Sequence, residues 1–250
     1  MPDDVFGWRV RTAHGDAWQA EGRLREPWGG GVAEVPGARL MATGLPAAKW
    51  NNADVTSGKV DIPAMRAWYE GRDVPWGVRV PVEIELRLGE PLFVKRCAGL
   101  RSDDLLLALP VRGLEIRRAS VADLETYARM ESEGFEDDLG LIRRWLEPAI
   151  GSPGFAHWLV ESASGPVALG MTLRTDERAG PAVYLGGVMV LPEWQGLGVE
   201  RWLASEALAD AFSNGATLAH FNPDDEELPW VRRLGFVEVP GFLVRVVRDG

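Results

Sequence analysis

The 250-residue sequence is poor in cysteine, histidine and basic residues, and each shortage excludes a class of protein. Because Cys97 is the one cysteine, the chain can form no internal disulfide, which favours a reducing compartment. The three histidines, His14, His157 and His220, are widely scattered and have no cysteine pairs beside them. Structural and catalytic zinc sites need three or four protein ligands close together, so we predict that the protein holds no metal.

Positive charge is also scarce, with 27 Lys and Arg residues against 37 Asp and Glu and a formal net charge of −10. This balance disfavours a nucleic-acid partner and favours a cationic or amine-bearing one. The sequence has no apolar run of membrane-spanning length, and its start, residues 1–4, lacks the basic and apolar regions of a signal peptide. We therefore expect a cytoplasmic protein with neither a membrane nor a nucleic-acid partner; its oligomeric state is left open.

The remaining composition, 46% hydrophobic and 26% charged, is typical of a globular protein. Its most informative segment runs from Val188 to Leu203: a hydrophobic strand ending in Leu-Pro-Glu, a Gln-Gly-x-Gly loop and the first turns of a helix. The first N–H groups of a helix have no partners inside it, and they carry the positive end of the helix dipole. Glycines at 196 and 198 allow the main chain to approach a phosphate closely. A Rossmann loop fits less well, because Arg201 and Trp202 stand where its third glycine would fall.

Together with Leu234-Gly235-Phe236, this segment resembles motifs A and B of the Gcn5-related N-acetyltransferase (GNAT) family. The resemblance implies an α/β (α+β) fold in which helices flank a mixed, mostly antiparallel sheet. It also implies an N-acyltransferase that moves an acetyl group from acetyl-CoA, or another acyl group from its CoA ester, to the amine of a small-molecule acceptor. The alternative is a catalytically silent GNAT-like module that binds or regulates.

Residues 111–250 contain the elements of a whole acetyltransferase domain. Ser120 is a helix N-cap, with Asp123 in the capping-box position. Apolar periodicity, caps and turn residues predict strands at 114–118, 156–161, 167–173, 182–190, 217–221, 236–239 and 242–247, and helices at about 120–132, 139–146, 196–214 and 225–234.

Residues 1–110 resemble the degenerate first half of a tandem acetyltransferase, which would make the chain two pseudo-repeated halves. We predict strands at 39–43 and 76–80, a helix at 62–71 capped by Asp61, and a long loop at 44–58. This half contains no Gln-Gly-x-Gly, so we expect one cofactor site per chain.

The resemblance places the pantetheine arm of the cofactor beside the strand that ends at Val190, and its pyrophosphate over the N–H groups of residues 195–199. The side chains of Val188 and Val190 should pack in the core. The cofactor-binding residues that follow are Val188, Met189, Val190, Gln195, Gly196, Leu197, Gly198, Val199, Glu200 and Asn222.

Two residues depart from the family pattern. Glu200 stands where the family usually has Gly or Ala, and its carboxylate would repel a bound pyrophosphate. Val231 stands where many relatives have a tyrosine that protonates the departing thiolate; its neighbour Trp230 has an N–H that donates but is not an acid.

The candidates for acid and base catalysis each have an ordinary structural explanation. His220 has a suitable intrinsic pKa, although a lone histidine in a strand is usually packed. Glu131 and Glu133 end a helix that lines the acceptor pocket in relatives, and with Glu136, Asp137 and Asp138 they would attract a cationic acceptor; such runs are usually solvated faces. Tyr184 on the central strand is a hydrogen-bond donor or an ordinary half-buried aromatic residue.

Overall fold

The computed structural model describes residues 2–247, with side chains from residue 5 onward, and within that range it has six α-helices and eleven strands. The chain forms two compact units. One contains the residues up to Cys97 together with those from Glu238 onward, and the other is Ala98–Val237. Our division at residue 110 stays a prediction. No helix among the described residues is both long enough and apolar enough to span a membrane.

The first unit has two helices and a sheet with the strand order β1-β2-β3-β4-β11. All neighbouring strands are antiparallel except β3 and β4, which are parallel and are joined through α2. Its elements are α1 Pro2–Leu24, β1 Gly31–Val35, β2 Ala38–Ala42, β3 Asn51–Val55, α2 Ile62–Glu70, β4 Trp76–Pro81, the start of β5 Glu90–Arg101 and β11 Val237–Val247.

The second unit has a sheet with the strand order β5-β10-β9-β8-β7-β6, again with one parallel pair, β9 and β10, joined through a helix. Its elements are the end of β5, β6 Glu115–Arg118, α3 Leu124–Phe135, α4 Leu139–Leu146, β7 Phe155–Ser162, β8 Gly165–Glu177, β9 Gly180–Val190, α5 Val199–Ser213, β10 Leu218–Phe221 and α6 Leu228–Arg233. The predicted fold class, a mixed and mostly antiparallel sheet flanked by helices, is confirmed.

Side-chain alternation along the strands of the second unit places α5 and α3 on opposite faces of the sheet. Val183 and Ala219 pack against α5 residues such as Leu208 in one core cluster. On the other face, Tyr127 of α3 lies edge-on to the ring of His157. Eight of the fifteen residues of α5 are buried against the sheet and its neighbours, whereas Glu206 is exposed.

Most predicted elements of the second unit are confirmed, with corrected ends. The predicted capping box is present, since Asp123 accepts hydrogen bonds from the amide and hydroxyl of Ser120. The predicted helix at 196–214 begins only at Val199, because Gly196 and Gly198 have left-handed φ angles. The last helix is shorter than predicted, and the two strands predicted after it form one strand, β11.

The first unit contains the larger errors. The loop predicted at 44–58 is wrong, because Asn51–Val55 is a buried strand. Its first side chain is fully paired: Asn51 accepts from the Thr43 amide and donates to the carbonyl oxygens of Leu45 and Pro75. A buried, satisfied asparagine therefore mimics the composition of a turn.

The Leu-Gly-Phe segment generates a stability prediction. Gly235 has φ +99°, and a Cβ atom there would collide with the carbonyl oxygen of Asp104. Gly113 has φ +79° with no atom within 4 Å of an added Cβ. Gly113→Ala should cost about 1–2 kcal/mol from its left-handed backbone alone. Gly235→Ala should cost about 1–3 kcal/mol more through overpacking. Urea unfolding of both variants checks this, and equal losses would show that the contact with Asp104 is unimportant.

Candidate functional site

Strands β9 and β10 separate at the centre of the second unit. They pair only where Ala182–Tyr184 face Leu218–His220, and β9 then continues to Val190 while β10 ends at Phe221. The pairing of β9 with β8 slips by one residue opposite Gly170, and Gly187 there has φ +57°. Such a bulge bends a strand and changes its twist. The end of β9 therefore has one edge that β10 does not cover.

The direction of the main-chain groups along this edge follows from one hydrogen bond to β8 and from the alternation of a β-strand. The Leu191 amide donates to Val167 on the β8 side at 2.9 Å, so the groups of Val190 point the other way. The Val190 carbonyl indeed accepts from the Gln195 side chain at 3.1 Å. By the same alternation Val188 presents its main chain to the open edge, whereas Met189 directs its main chain to β8.

The loop after β9 leaves a row of amide groups without acceptors. Gly196 has φ +75° and Gly198, the N-cap residue of α5, has φ +82°, with no atom within 4 Å of an added Cβ at either. The first amide of α5 that bonds within the helix is that of Trp202, which donates to the Gly198 carbonyl at 3.0 Å. Within the described part of the chain, the amides of residues 196–201 donate to no acceptor. The Gln195 amide differs, because it donates to the Pro192 carbonyl at 3.3 Å.

A cavity of about 670 Å³ adjoins this loop. Its walls are the end of α3, the end of β9, the loop at 191–196, Glu200 of α5, and the turn and first residues of α6. Its volume lies in the range of small-molecule sites. Its charged lining residues are all acidic: Glu133, Glu200, Asp224, Glu226 and Glu227.

The turn before α6 contains a carboxyl group that the sequence analysis missed. The Glu227 side chain accepts from the Asp224 amide at 3.0 Å, and the Asp224 side chain accepts from the Glu227 amide at 2.9 Å. Burial raises the pKa of Glu227 to about 7, helped by the Asp224 charge and opposed by the hydrogen bond from the Asp224 amide. The available signal was the Asp-x-x-Glu spacing of a capping box, three residues beyond the end of a strand.

The structure brings only part of the predicted catalytic set to this cavity. Glu133 lines it, but Glu131 does not. His220 and Tyr184 are not in the lining, and their rings lie 5.2 Å apart, nearly parallel. His220 is 1% exposed, and burial lowers its pKa to about 3, so it is neutral and a weak base near pH 7.

The predicted cofactor-binding residues divide in the same way. Six of them line the cavity, whereas Leu197, Gly198, Val199 and Asn222 lie outside the lining, although the first three belong to the row of open amides. The six are Val188, Met189, Val190, Gln195, Gly196 and Glu200.

The predicted acidic cluster is partly structural. Asp138 caps α4 by accepting from the Leu141 amide at 2.9 Å, and Glu136 ends α3 with a left-handed φ of +54°. At the position of the absent tyrosine, Val231 is buried in the core, while Trp230 lines the cavity.

Comparison with known proteins decides the family of this unit. Residues 121–236 match the acetyltransferase (GNAT) family model. The chain carries a GNAT domain. Among curated proteins there was no significant match.

Solved structures with the same fold cover nearly the whole chain. A GCN5-related N-acetyltransferase from Kribbella flavida is 17% identical, with a TM-score of 0.70 over 94% of this chain and 96% of the other. A functionally unknown conserved protein from Staphylococcus epidermidis is 14% identical, with a TM-score of 0.61 over 86% and 91%. A GCN5-related N-acetyltransferase from Sphaerobacter thermophilus is 13% identical, with a TM-score of 0.58 over 86% and 78%. At these identities the likeness establishes the fold.

The burial of His220 in the GNAT domain generates a testable prediction. Because its pKa lies near 3 in the folded protein, its imidazole should remain neutral from pH 5 to pH 8. In a histidine-labelled sample, NMR should show no titration of the His220 ring over this range. A midpoint between pH 6 and pH 7 would contradict the burial and would restore His220 as a candidate base.

Proposed function

We propose that this chain is an N-acyltransferase that moves an acetyl group from acetyl-CoA to the amine of a small, cationic acceptor. The observation that carries the proposal is the row of six amides at residues 196–201, which have no acceptor in the described chain and stand at the start of a fifteen-residue helix. Such a row, together with the helix dipole, suits a diphosphate. GNAT domains use acyl-CoA, whose diphosphate requires such a site.

The rest of the cofactor also has partners of the right kind. Gly196 and Gly198 leave open space where a side chain would block a phosphate. The uncovered edge of β9 offers the main-chain groups of Val188 and Val190, and we propose that these bond the amides of the pantetheine arm. A bound acyl-CoA supplies a thioester carbonyl carbon that a neutral amine can attack.

The choice of a cationic acceptor rests on the charge of the cavity. Five carboxylates line it, and the lining includes no Lys, Arg or His from the part of the chain that the structure describes. Like charges focused in a concave site attract a counter-charged ligand and raise its local concentration. Holding the amine near the thioester then contributes to the rate through position and orientation.

We also propose that the first unit is the predicted degenerate repeat. Supporting observations are that each unit has one parallel strand pair joined through a helix and antiparallel strands on both sides of that pair. The start of α2 differs from that of α5, because the Asp61 side chain accepts from the Ala64 amide at 3.0 Å and Pro63 has no N–H to offer. A cytoplasmic location of the protein and the absence of a nucleic-acid partner also remain predictions.

The proposal predicts the effect of a side chain at the phosphate loop. Gly198→Val should weaken acetyl-CoA binding by about tenfold to a hundredfold, the value of one or two hydrogen bonds to a charged group. Gly215→Val is the matched control, since Gly215 follows the other end of α5, has φ +96° and also has no atom within 4 Å of an added Cβ. Isothermal titration of both folded variants checks this. Equal affinity in the two would place the cofactor elsewhere.

The second candidate is a silent GNAT-like module. Two observations favour it: Glu200 lines the cavity beside the open amides, and Val231 is buried where an acid would stand. Glu200 would weaken acyl-CoA binding and Val231 would slow transfer, but neither residue prevents acyl-CoA from binding. Transfer does not require a dedicated acid, because a thiolate is a tolerable leaving group.

Thiol release separates the two candidates. The wild-type protein with acetyl-CoA should release free thiol in the presence of a cationic amine, with spermidine and kanamycin as first probes, and should do so more slowly with a neutral amide or an acidic amine. Binding of acetyl-CoA without thiol release from any amine would favour the silent module. No binding of acetyl-CoA by a folded sample would remove both.

A further inference from the structure

We propose that Glu227 is the general base of this domain, whose carboxylate takes a proton from the acceptor's ammonium group inside the acidic cavity. This inference rests on the proposed transfer to an amine. Glu227 is not one of the predicted catalytic residues, and it does not stand at the position of the tyrosine found in many relatives.

The first support is geometric. The reciprocal hydrogen bonds with Asp224 fix the Glu227 backbone and one of its carboxylate oxygens, Oε2. Among the described residues, no donor contacts the other oxygen, Oε1. Glu227 is half-buried and lines the cavity directly before α6, whose residues Leu228 and Trp230 are buried. A glutamate that served only to cap a helix could do so while exposed to solvent and away from any cavity.

The second support is the charge around this carboxylate. Asp224 and Glu226 lie in the same turn, Glu133 faces the cavity from the end of α3, and Glu200 faces it from the start of α5. Among the described residues, the lining has no cation that would stabilise the ionised form, and it does not include Arg232 or Arg233 at the far end of α6. Burial and the Asp224 charge therefore raise the pKa of Glu227 to about 7, a value suited to a base at neutral pH.

The proton balance can be written with this one group. An ammonium R–NH3+ gives a proton to ionised Glu227 and becomes R–NH2. The nitrogen lone pair then forms the C–N bond to the thioester carbon, the C–S bond breaks with its electron pair on sulfur, and the second amine proton passes to the sulfur. The products are the amide and the free thiol, and Glu227 returns its proton to solvent.

The other titratable candidates serve this step less well. His220 lies outside the cavity, and its lowered pKa leaves it a weak base. Tyr184 also lies outside the lining, against the His220 ring. Glu133 lines the cavity from an exposed position at the end of α3, where no hydrogen bond within the described residues holds its carboxylate.

Glu227→Gln tests the inference, because glutamine keeps the capping-box acceptor while removing the titratable proton. With the best amine from the thiol-release screen, kcat/KM of the wild type should rise with pH through about 7, since Glu227 acts when ionised. The variant should lose this rise and about a hundredfold or more in kcat at pH 8. Its affinity for acetyl-CoA should stay within a few fold. Glu206→Gln, on the exposed side of α5, is the control and should keep the wild-type profile.

Asp224→Asn gives a second test that leaves Glu227 in place. Asparagine can still accept from the Glu226 and Glu227 amides but lacks the charge that raises the Glu227 pKa. The rise of kcat/KM should therefore move to lower pH.

The outcomes separate the two proposals. Suppose that the wild type is active but that its pH profile is unchanged in Glu227→Gln or does not move in Asp224→Asn. The proposed role of Glu227 is then wrong, while the proposed function stands. Absence of thiol release by the wild type from every amine contradicts the proposed function, and the role of Glu227 with it.

Discussion

The central constraint is a set of hydrogen-bond donors, the main-chain amides of residues 196–201, that have no acceptor within the described chain. The first turn of any helix has donors without intrahelical partners, and proteins usually satisfy them with a side chain. Helix α2 follows that rule through Asp61. Helix α5 does not, because its N-cap residue is Gly198, which has no side chain, and the amides of Gly196 and Leu197 before it also donate to no acceptor within the described chain. The difference between the two helix starts is the physical reason why we propose a phosphate site at α5 and none at α2.

The geometry of the sheet supplies the second half of that site. The bulge at Gly187 and the early end of β10 uncover one edge of β9 just before the loop with open amides. An extended amide-containing ligand can bond to this edge as an extra strand would. Under the proposed function this arrangement has an electrostatic cost, because the cavity that would accept a diphosphate near Glu200 is lined by four further carboxylates. The proposed anionic cofactor and cationic acceptor would place opposite demands on one cavity, and we propose that the open amides serve the first and the carboxylates the second.

The site was partly predictable because main-chain requirements leave signatures in glycine spacing. Gln-Gly-x-Gly after a hydrophobic strand indicated the loop, and Ser120 with Asp123 indicated a capping box, since both features are local. Helix α1 left no such signature: it buries His14, Asp16 and Gln19 beside apolar residues, and Asp16 is paired with Arg39 at 2.6 Å, so its packed face mixes polar and apolar side chains. The sequence analysis missed strand β3 for the same reason, because its buried residues are partly polar. The burial of His220 and the raised pKa of Glu227 depend on which elements surround each side chain, and no local pattern encodes that.

The most direct measurement of the central claim is backbone amide NMR of the folded protein during titration with CoA and, separately, with pantetheine, which has the same arm but no diphosphate. If the amides at the start of α5 hold the diphosphate, CoA should shift the amide resonances of residues 196–201, whereas pantetheine at equal concentration should leave them nearly unchanged. If CoA binds while these six resonances stay in place, or if pantetheine moves them equally, the amides at the start of α5 do not hold a diphosphate.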